Sequence, residues 1–168
     1  KKMKKMKNMK NMKNVKGDRK SESGNSGHRP LVFGPRELAL LEEVSAAIGT
    51  PVPRGFVGRS ERFLARLARW NRAMNLVSRL DEKRIIERHL LDSLCVLAVA
   101  KDLSGRRVMD VGSGAGFPGV VLSLWEPGAR VLLVESRDKK VAFLKTVRRE
   151  LGLKNTQVMR SRVEQLVA

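Results

Sequence analysis

The sequence predicts an α/β fold, a parallel sheet interleaved with helices and preceded by an all-helical extension. Short β-type runs at 108–111, 130–134 and 156–159 alternate with helix-patterned stretches at 118–125 and 137–151. Strands separated by helices of that length pair in parallel, because a parallel neighbour needs a long crossover. A glycine-rich loop, Gly112-Ser113-Gly114-Ala115-Gly116, follows the first of these strands directly. Upstream of residue 105 the apolar residues recur at threes and fours, the helical period.

Residues 1–30 read as a disordered tail and linker: a near-repeat of Lys, Met and Asn, then a polar Gly/Ser-rich stretch ending at Pro30. Nine Lys and two Arg against Asp18 and Glu22 give this tail +9 of the chain's +18 charge. It has no apolar core of the kind a secretory signal needs. The basic residue type then switches, with 18 Arg and six Lys after Pro30, so the body is cationic in its own right.

Residues 31–104 form the helical extension. Leu38, Leu41, Val44 and Ile48 mark a first helix that begins at Pro35 and stops at Gly49, and Pro51 and Pro53 break the chain. Phe56, Phe63, Leu67, Trp70 and Met74 mark a second, whose other face carries Arg59, Arg62, Arg66, Arg69 and Arg72. A third is expected to start near Asp81 as its cap and to bury Ile85 or Ile86, His89 or Leu90, Leu94 and Leu97. Residues 105–168 carry the strand–helix alternation.

Composition narrows the class further. With 42% hydrophobic residues, 4% aromatics and no Tyr, a core is affordable and must be mostly aliphatic. The longest apolar stretch, from Leu94 to Ala100, is too short to span a bilayer. The single cysteine, Cys95, excludes an intramolecular disulfide framework and a Cys-rich metal site; it reads as a small buried thiol in a reducing, cytoplasmic setting. No metal site is expected. The positive charge predicts polyanionic partners, nucleic acid above all.

The chemistry concentrates at Asp110-Val111-Gly112-Ser113-Gly114-Ala115-Gly116-Phe117-Pro118-Gly119. Open parallel sheets bind ligands at the C-terminal ends of their strands, where glycines let the backbone approach closely. The next strand leads to Glu135, 23 residues after Gly112, where an acid can accept hydrogen bonds from both ribose hydroxyls of a nucleoside. A dinucleotide fingerprint wants its third glycine where Phe117 stands. The loop therefore fits S-adenosylmethionine better than a nicotinamide dinucleotide, though spacing alone leaves a nicotinamide-dependent oxidoreductase open.

These residues resemble the RsmG, or glucose-inhibited division protein B, family of bacterial methyltransferases over about residues 35–168. The pieces that carry the resemblance are Trp70-Asn71-Arg72-Ala73-Met74-Asn75-Leu76, Arg88-His89-Leu90-Leu91-Asp92-Ser93-Leu94, the loop from Asp110 to Gly119, and Glu135 with Lys139-Lys140 and Phe143-Leu144. The resemblance implies a class I S-adenosylmethionine-dependent methyltransferase fold behind a helical extension, acting on guanine N7 of small-subunit (16S) ribosomal RNA, free or in a ribosomal particle. It implies that Gly112 and Phe117, beside Gly114 and Glu135, line the cofactor site and that Val163 and Glu164 meet the adenine. Against that family the chain is expected to be an N-terminal portion holding the first half of the methyltransferase domain, and a monomer. The alternative is a noncatalytic RNA-binding fragment.

Guanine N7 already has a free lone pair, so no general base is required and no catalytic residue is assigned. Arg66, Arg69, Arg72 and Arg88 are the RNA-facing candidates. His89 reads as structural before it reads as an RNA contact, and Asp92 as an i,i+4 ion pair with Arg88. Asn71 and Asn75 divide evenly between capping the second helix and touching RNA or cofactor. Trp70 and Phe63 fall on the apolar stripe and read as core.

Overall fold

The computed structural model describes residues 31–166; the calls on the 1–30 tail lie outside the described residues. Helix α1, Pro35–Ile48, opens with the Glu37 carboxylate accepting the Gly34 N–H at 3.0 Å and ends at Gly49 in the left-handed conformation. Helix α2, Phe56–Met74, buries Phe56, Phe63 and Leu67 of the expected stripe, with Trp70 and Met74 partly buried, and adds Leu64. It ends at Asn75 with φ 48°, a conformation that asparagine tolerates better than most residues. Asn71 Oδ1 accepts the Val77 N–H at 2.9 Å, and its Nδ2 donates to Glu82. Both asparagines thus serve the end of this helix.

The expected third helix is instead three pieces. A single turn, α3 (Arg79–Glu82), is capped by Ser78, whose hydroxyl accepts the Asp81 N–H at 3.1 Å; Asp81 is not the cap. A π-helix follows at Ile86–Leu91, and α4 runs from it as Asp92–Ala100. The anticipated apolar stripe survives, with Ile85, Ile86, Leu90, Leu94 and Leu97 all buried. Arg88 pairs with Asp81 at 2.9 Å and not with Asp92. Cys95, expected to be buried, is exposed on α4, because the residues at that helix's core face are Ser93, Leu94 and Leu97.

The α/β part is as the alternation requires: β1 (Arg107–Val111), α5 (Gly119–Trp125), β2 (Arg130–Glu135), α6 (Asp138–Glu150) and β3 (Thr156–Arg160). The sheet order is β1-β2-β3 and both pairings are parallel, with Asp110 opposite Leu133 and Leu133 opposite Val158. Helices α5 and α6 pack on the strands, and α2 packs in turn on both of them. Asp110, Val131, Leu133 and Thr156 are buried beneath these helices, while Met109, Val111 and Met159, at alternate positions, stay exposed. One apolar core runs from Phe33 through the extension into the sheet, as far as Leu153. The helical extension therefore shares its interior with the α/β part, and α2 bridges them.

Candidate functional site

The loop after β1 turns on three left-handed glycines, Gly112 (φ 79°), Gly114 (φ 50°) and Gly116 (φ 95°). Its start stays tied to β2, since the Gly112 and Ser113 N–H groups both donate to Val134 O, at 2.8 and 3.0 Å. Ser113 Oγ donates back to Asp110 O at 2.9 Å, and Gly116 N–H closes a turn on Ser113 O. A side chain at Gly112 would meet nothing within 4 Å, so the space in front of it is unfilled. At Gly116 a Cβ would strike Val120 at 2.8 Å.

Two acids brace this loop from beneath. Asp110 Oδ2 accepts the Gly119 N–H at 3.0 Å. Burial pushes the Asp110 carboxyl above the usual range, outweighing the Gly119 N–H and Ser113, and the neighbouring Glu135 charge adds to the rise. Glu135 ends β2, with Oε2 accepting from Gly114 N–H at 3.0 Å and Oε1 from the N–H groups of Ser136 and Arg137, both at 2.9 Å. Burial works to raise this group too, but the three N–H donors and the Lys140 ammonium hold it below the usual carboxylate range. Glu135 is therefore an ionised acceptor at neutral pH, gathered against the glycine loop.

Phe117 forms the loop's apolar wall. Its ring lies between Phe63 of α2 and His89 of the π-helix, with both centroid distances 5.3 Å and the His89 ring inclined by 30°. His89 is thus a structural neighbour of the loop, and its buried Nε2 has no hydrogen-bond partner among the described residues. Val163 and Glu164 sit exposed on a short 3-10 helix after β3, at the same end of the sheet, where Ser161 N–H donates to Glu135 O at 3.2 Å. Gly112, Gly114, Phe117 and Glu135 come together here.

The arginine candidates divide. Arg66 is paired with Glu150 and Arg88 with Asp81, whereas Arg69 and Arg72 are exposed and have no ion pair among the described residues. Phe63 is fully buried and Trp70 packs on Phe143 with centroids 5.7 Å apart, so both belong to the core. Sequence reasoning missed the Phe117–His89 stack and the placement of Lys140 beside Glu135. Lys140 had a signal, since it lies near the start of the helix that leaves Glu135; the stack had none. No group of three or more His, Cys, Asp or Glu residues is placed to hold a metal ion, and no helix is long and apolar enough to cross a membrane, among the described residues.

The parallel sheet, with a glycine loop after its first strand and an acid closing its second, is a Rossmann-like α/β fold. Residues 58–167 match the family described as rRNA small subunit methyltransferase G (GidB), and the chain belongs to that family. Among curated relatives, the ribosomal RNA small subunit methyltransferase G of Halorhodospira halophila is 45% identical over 126 residues, 75% of this chain and 57% of the relative. Those of Nitrosospira multiformis and Sorangium cellulosum are 42% and 43% identical, covering 74% and 72% of this chain and 56% and 51% of theirs. The chain thus spans about half the length of the curated relatives it matches.

Proposed function

We propose that this chain carries the S-adenosylmethionine site of a methyltransferase that modifies guanine N7 in small-subunit ribosomal RNA. The observation that carries the reading is Glu135, an ionised carboxylate at the end of β2 that holds Gly114 and faces the same edge as the open space at Gly112. The residues suit that cofactor. Glu135 Oε2 accepts one described N–H and keeps acceptor capacity for a ribose hydroxyl. Gly112 leaves room for a nucleoside, and Phe117 supplies an apolar wall where a dinucleotide site would need a glycine. Val163 and Glu164, after β3, complete the proposed adenine end, and the protein acts in the cytoplasm.

S-adenosylmethionine supplies an electrophilic methyl group on a positively charged sulfur. The chain's own work is then positional. Guanine N7 needs no deprotonation, so Glu135 and the glycine loop bind and orient, while Phe117, packed between Phe63 and His89, excludes water from one side. Asp110 holds the start of α5 and so fixes the loop's far end. Arg69 and Arg72 are the RNA-facing candidates left free by the ion pairs of Arg66 and Arg88.

Thermal unfolding with and without excess S-adenosylmethionine tests the reading, because a ligand that binds only the folded chain raises the midpoint. The wild-type midpoint is expected to rise, and the rise to vanish in Glu135→Ala and Gly112→Arg while both still unfold cooperatively. A wild-type chain that does not respond, or variants that respond equally, would sink the site.

A further inference from the structure

A cavity of about 900 Å³ opens in the helical extension, between α1, α2, α3 and the π-helix and apart from the glycine loop. Its charged lining is of two kinds. The carboxylates are already engaged: Glu37 accepts the Gly34 N–H at 3.0 Å, Glu82 accepts from Asn71 Nδ2 at 3.3 Å, and Glu87 takes Arg84 at 2.8 Å and Arg36 at 3.3 Å. Arg72, Arg79 and Lys83 are exposed and have no ion pair among the described residues. Arg72, Arg79 and Lys83 come from three separate elements or turns, and the lining as a whole carries four basic side chains, with Arg84, against the three carboxylates.

We infer that this cavity is a docking site for the sugar–phosphate backbone of RNA, with Arg72, Arg79 and Lys83 receiving phosphates. The inference rests on the RNA-modifying function proposed above. A single small anion would leave most of so large a space empty. A strand brings several phosphates at the spacing that separated, exposed cations require. The chain also enters the cavity's lining at Leu31, directly after the 30 residues that carry +9. Position favours the same partner. Ile86 and Glu87 line the cavity, and His89 of the same π-helix stacks on Phe117, so one helix joins the cavity to the glycine loop's wall. Phosphate contacts of this kind fix register without reading sequence.

The test compares two triple charge reversals in the full chain, both keeping the tail: Arg72→Glu/Arg79→Glu/Lys83→Glu in the cavity, and Arg106→Glu/Arg107→Glu/Arg130→Glu at the opposite end of the strands. Binding of a labelled single-stranded small-subunit ribosomal RNA fragment is read by fluorescence anisotropy over a salt series. The cavity variant should bind at least about tenfold more weakly, with a log–log salt slope shallower by about 2, from about 0.7 per single-strand phosphate lost. The strand-end variant should change less than about threefold. Equal losses in the two variants would mean that net charge alone binds RNA, and no loss in the cavity variant would mean the strand lies elsewhere; either overturns the docking site. A wild-type chain that fails to bind the RNA removes the docking site together with the RNA reading, whereas a cavity failure alone leaves the cofactor-induced midpoint rise intact. If the reversal unfolds, Arg72→Gln/Arg79→Gln/Lys83→Gln carries the same comparison in the same direction.

Discussion

Phe117 and His89 stack on each other, but the loop that carries the first and the π-helix that carries the second are built in opposite ways. In the loop the N–H groups of Gly112, Ser113, Gly114, Gly116 and Gly119 each find an acceptor, and two of these acceptors are the carboxylates of Asp110 and Glu135. In the π-helix the ladder is widened by one residue, Ser93 Oγ donates back to His89 O, and His89 Nε2 is buried without a partner among the described residues. The loop takes its shape from its glycines and from acceptors on both flanking strands, Asp110 on β1 and Val134 and Glu135 on β2. The π-helix runs on into α4 and packs against α1, and it carries an unpaired polar atom among the described residues. The difference teaches that the loop is held by hydrogen bonds from the two strands beneath it and its wall by side-chain packing.

The largest expected effect breaks the loop's hold on the strands. A Cβ at Gly119 would collide with the Leu133 side chain and stand 2.6 Å from Asp110 Oδ2, between a core residue and the acid that holds the helix start. Gly119→Ala should therefore cost about 3 kcal/mol, read as a lowered urea midpoint with an unchanged slope. Gly112→Ala meets no atom and pays only for a left-handed backbone, about 1 kcal/mol. If the two cost the same, collision is not what fixes the start of α5.

A smaller effect separates the two acids by the sign of their pH dependence. Glu135 sits below its usual pKa, so its stabilisation is full above about pH 4.3 and is lost as the pH falls through its own lower value. Asp110 sits above its usual pKa, so its contribution is full below about pH 3.9 and is lost as the pH rises through its raised value. Glu135→Gln should be less stable than wild type by about 2 kcal/mol at neutral pH, because one amide oxygen cannot serve donors on both sides. That deficit should shrink as the pH drops below about 4. Asp110→Asn keeps an acceptor for Gly119 and should gain on wild type as the pH rises above about 4. Urea midpoints of the three proteins across this range check both slopes; parallel curves would mean that neither acid is perturbed by the loop.

The sequence showed most of what is locally built. Every strand and both crossover helices lie within a residue of their expected bounds, because glycine and proline punctuate them and the period of the apolar pattern changes at Arg107. Gly112, Gly114, Phe117 and Glu135 were legible for the same reason, since spacing along a strand–loop–helix fixes where they meet. The region 79–100 was not. Its apolar residues were placed in the core correctly, but the division into one turn, a π-helix and α4 depends on neighbours distant in sequence, which no periodicity records. The ion pairs of Arg66 and Arg88 were hidden for a similar reason: their acidic partners, Glu150 and Asp81, are brought near only by the fold. Cys95 was placed inside because its neighbours are apolar, although α4 buries only one side of that stretch.

The smallest effect expected is one of gain, and it bears on the π-helix alone. His89→Phe keeps a ring against Phe117 and removes the buried Nε2 that has no described partner. An unpaired buried polar atom costs about 1 kcal/mol or more, so this variant should unfold later than wild type by about that amount, whereas His89→Ala, which also discards the stack, should unfold earlier. A loss of stability in His89→Phe would mean that Nε2 is satisfied in solution, and the π-helix would then be as fully hydrogen-bonded as the loop it supports. A gain in stability accompanied by weaker S-adenosylmethionine binding would be more telling, because it would place the cost of that unpaired nitrogen at the wall of the cofactor cleft, where the chain retains it for the sake of Phe117.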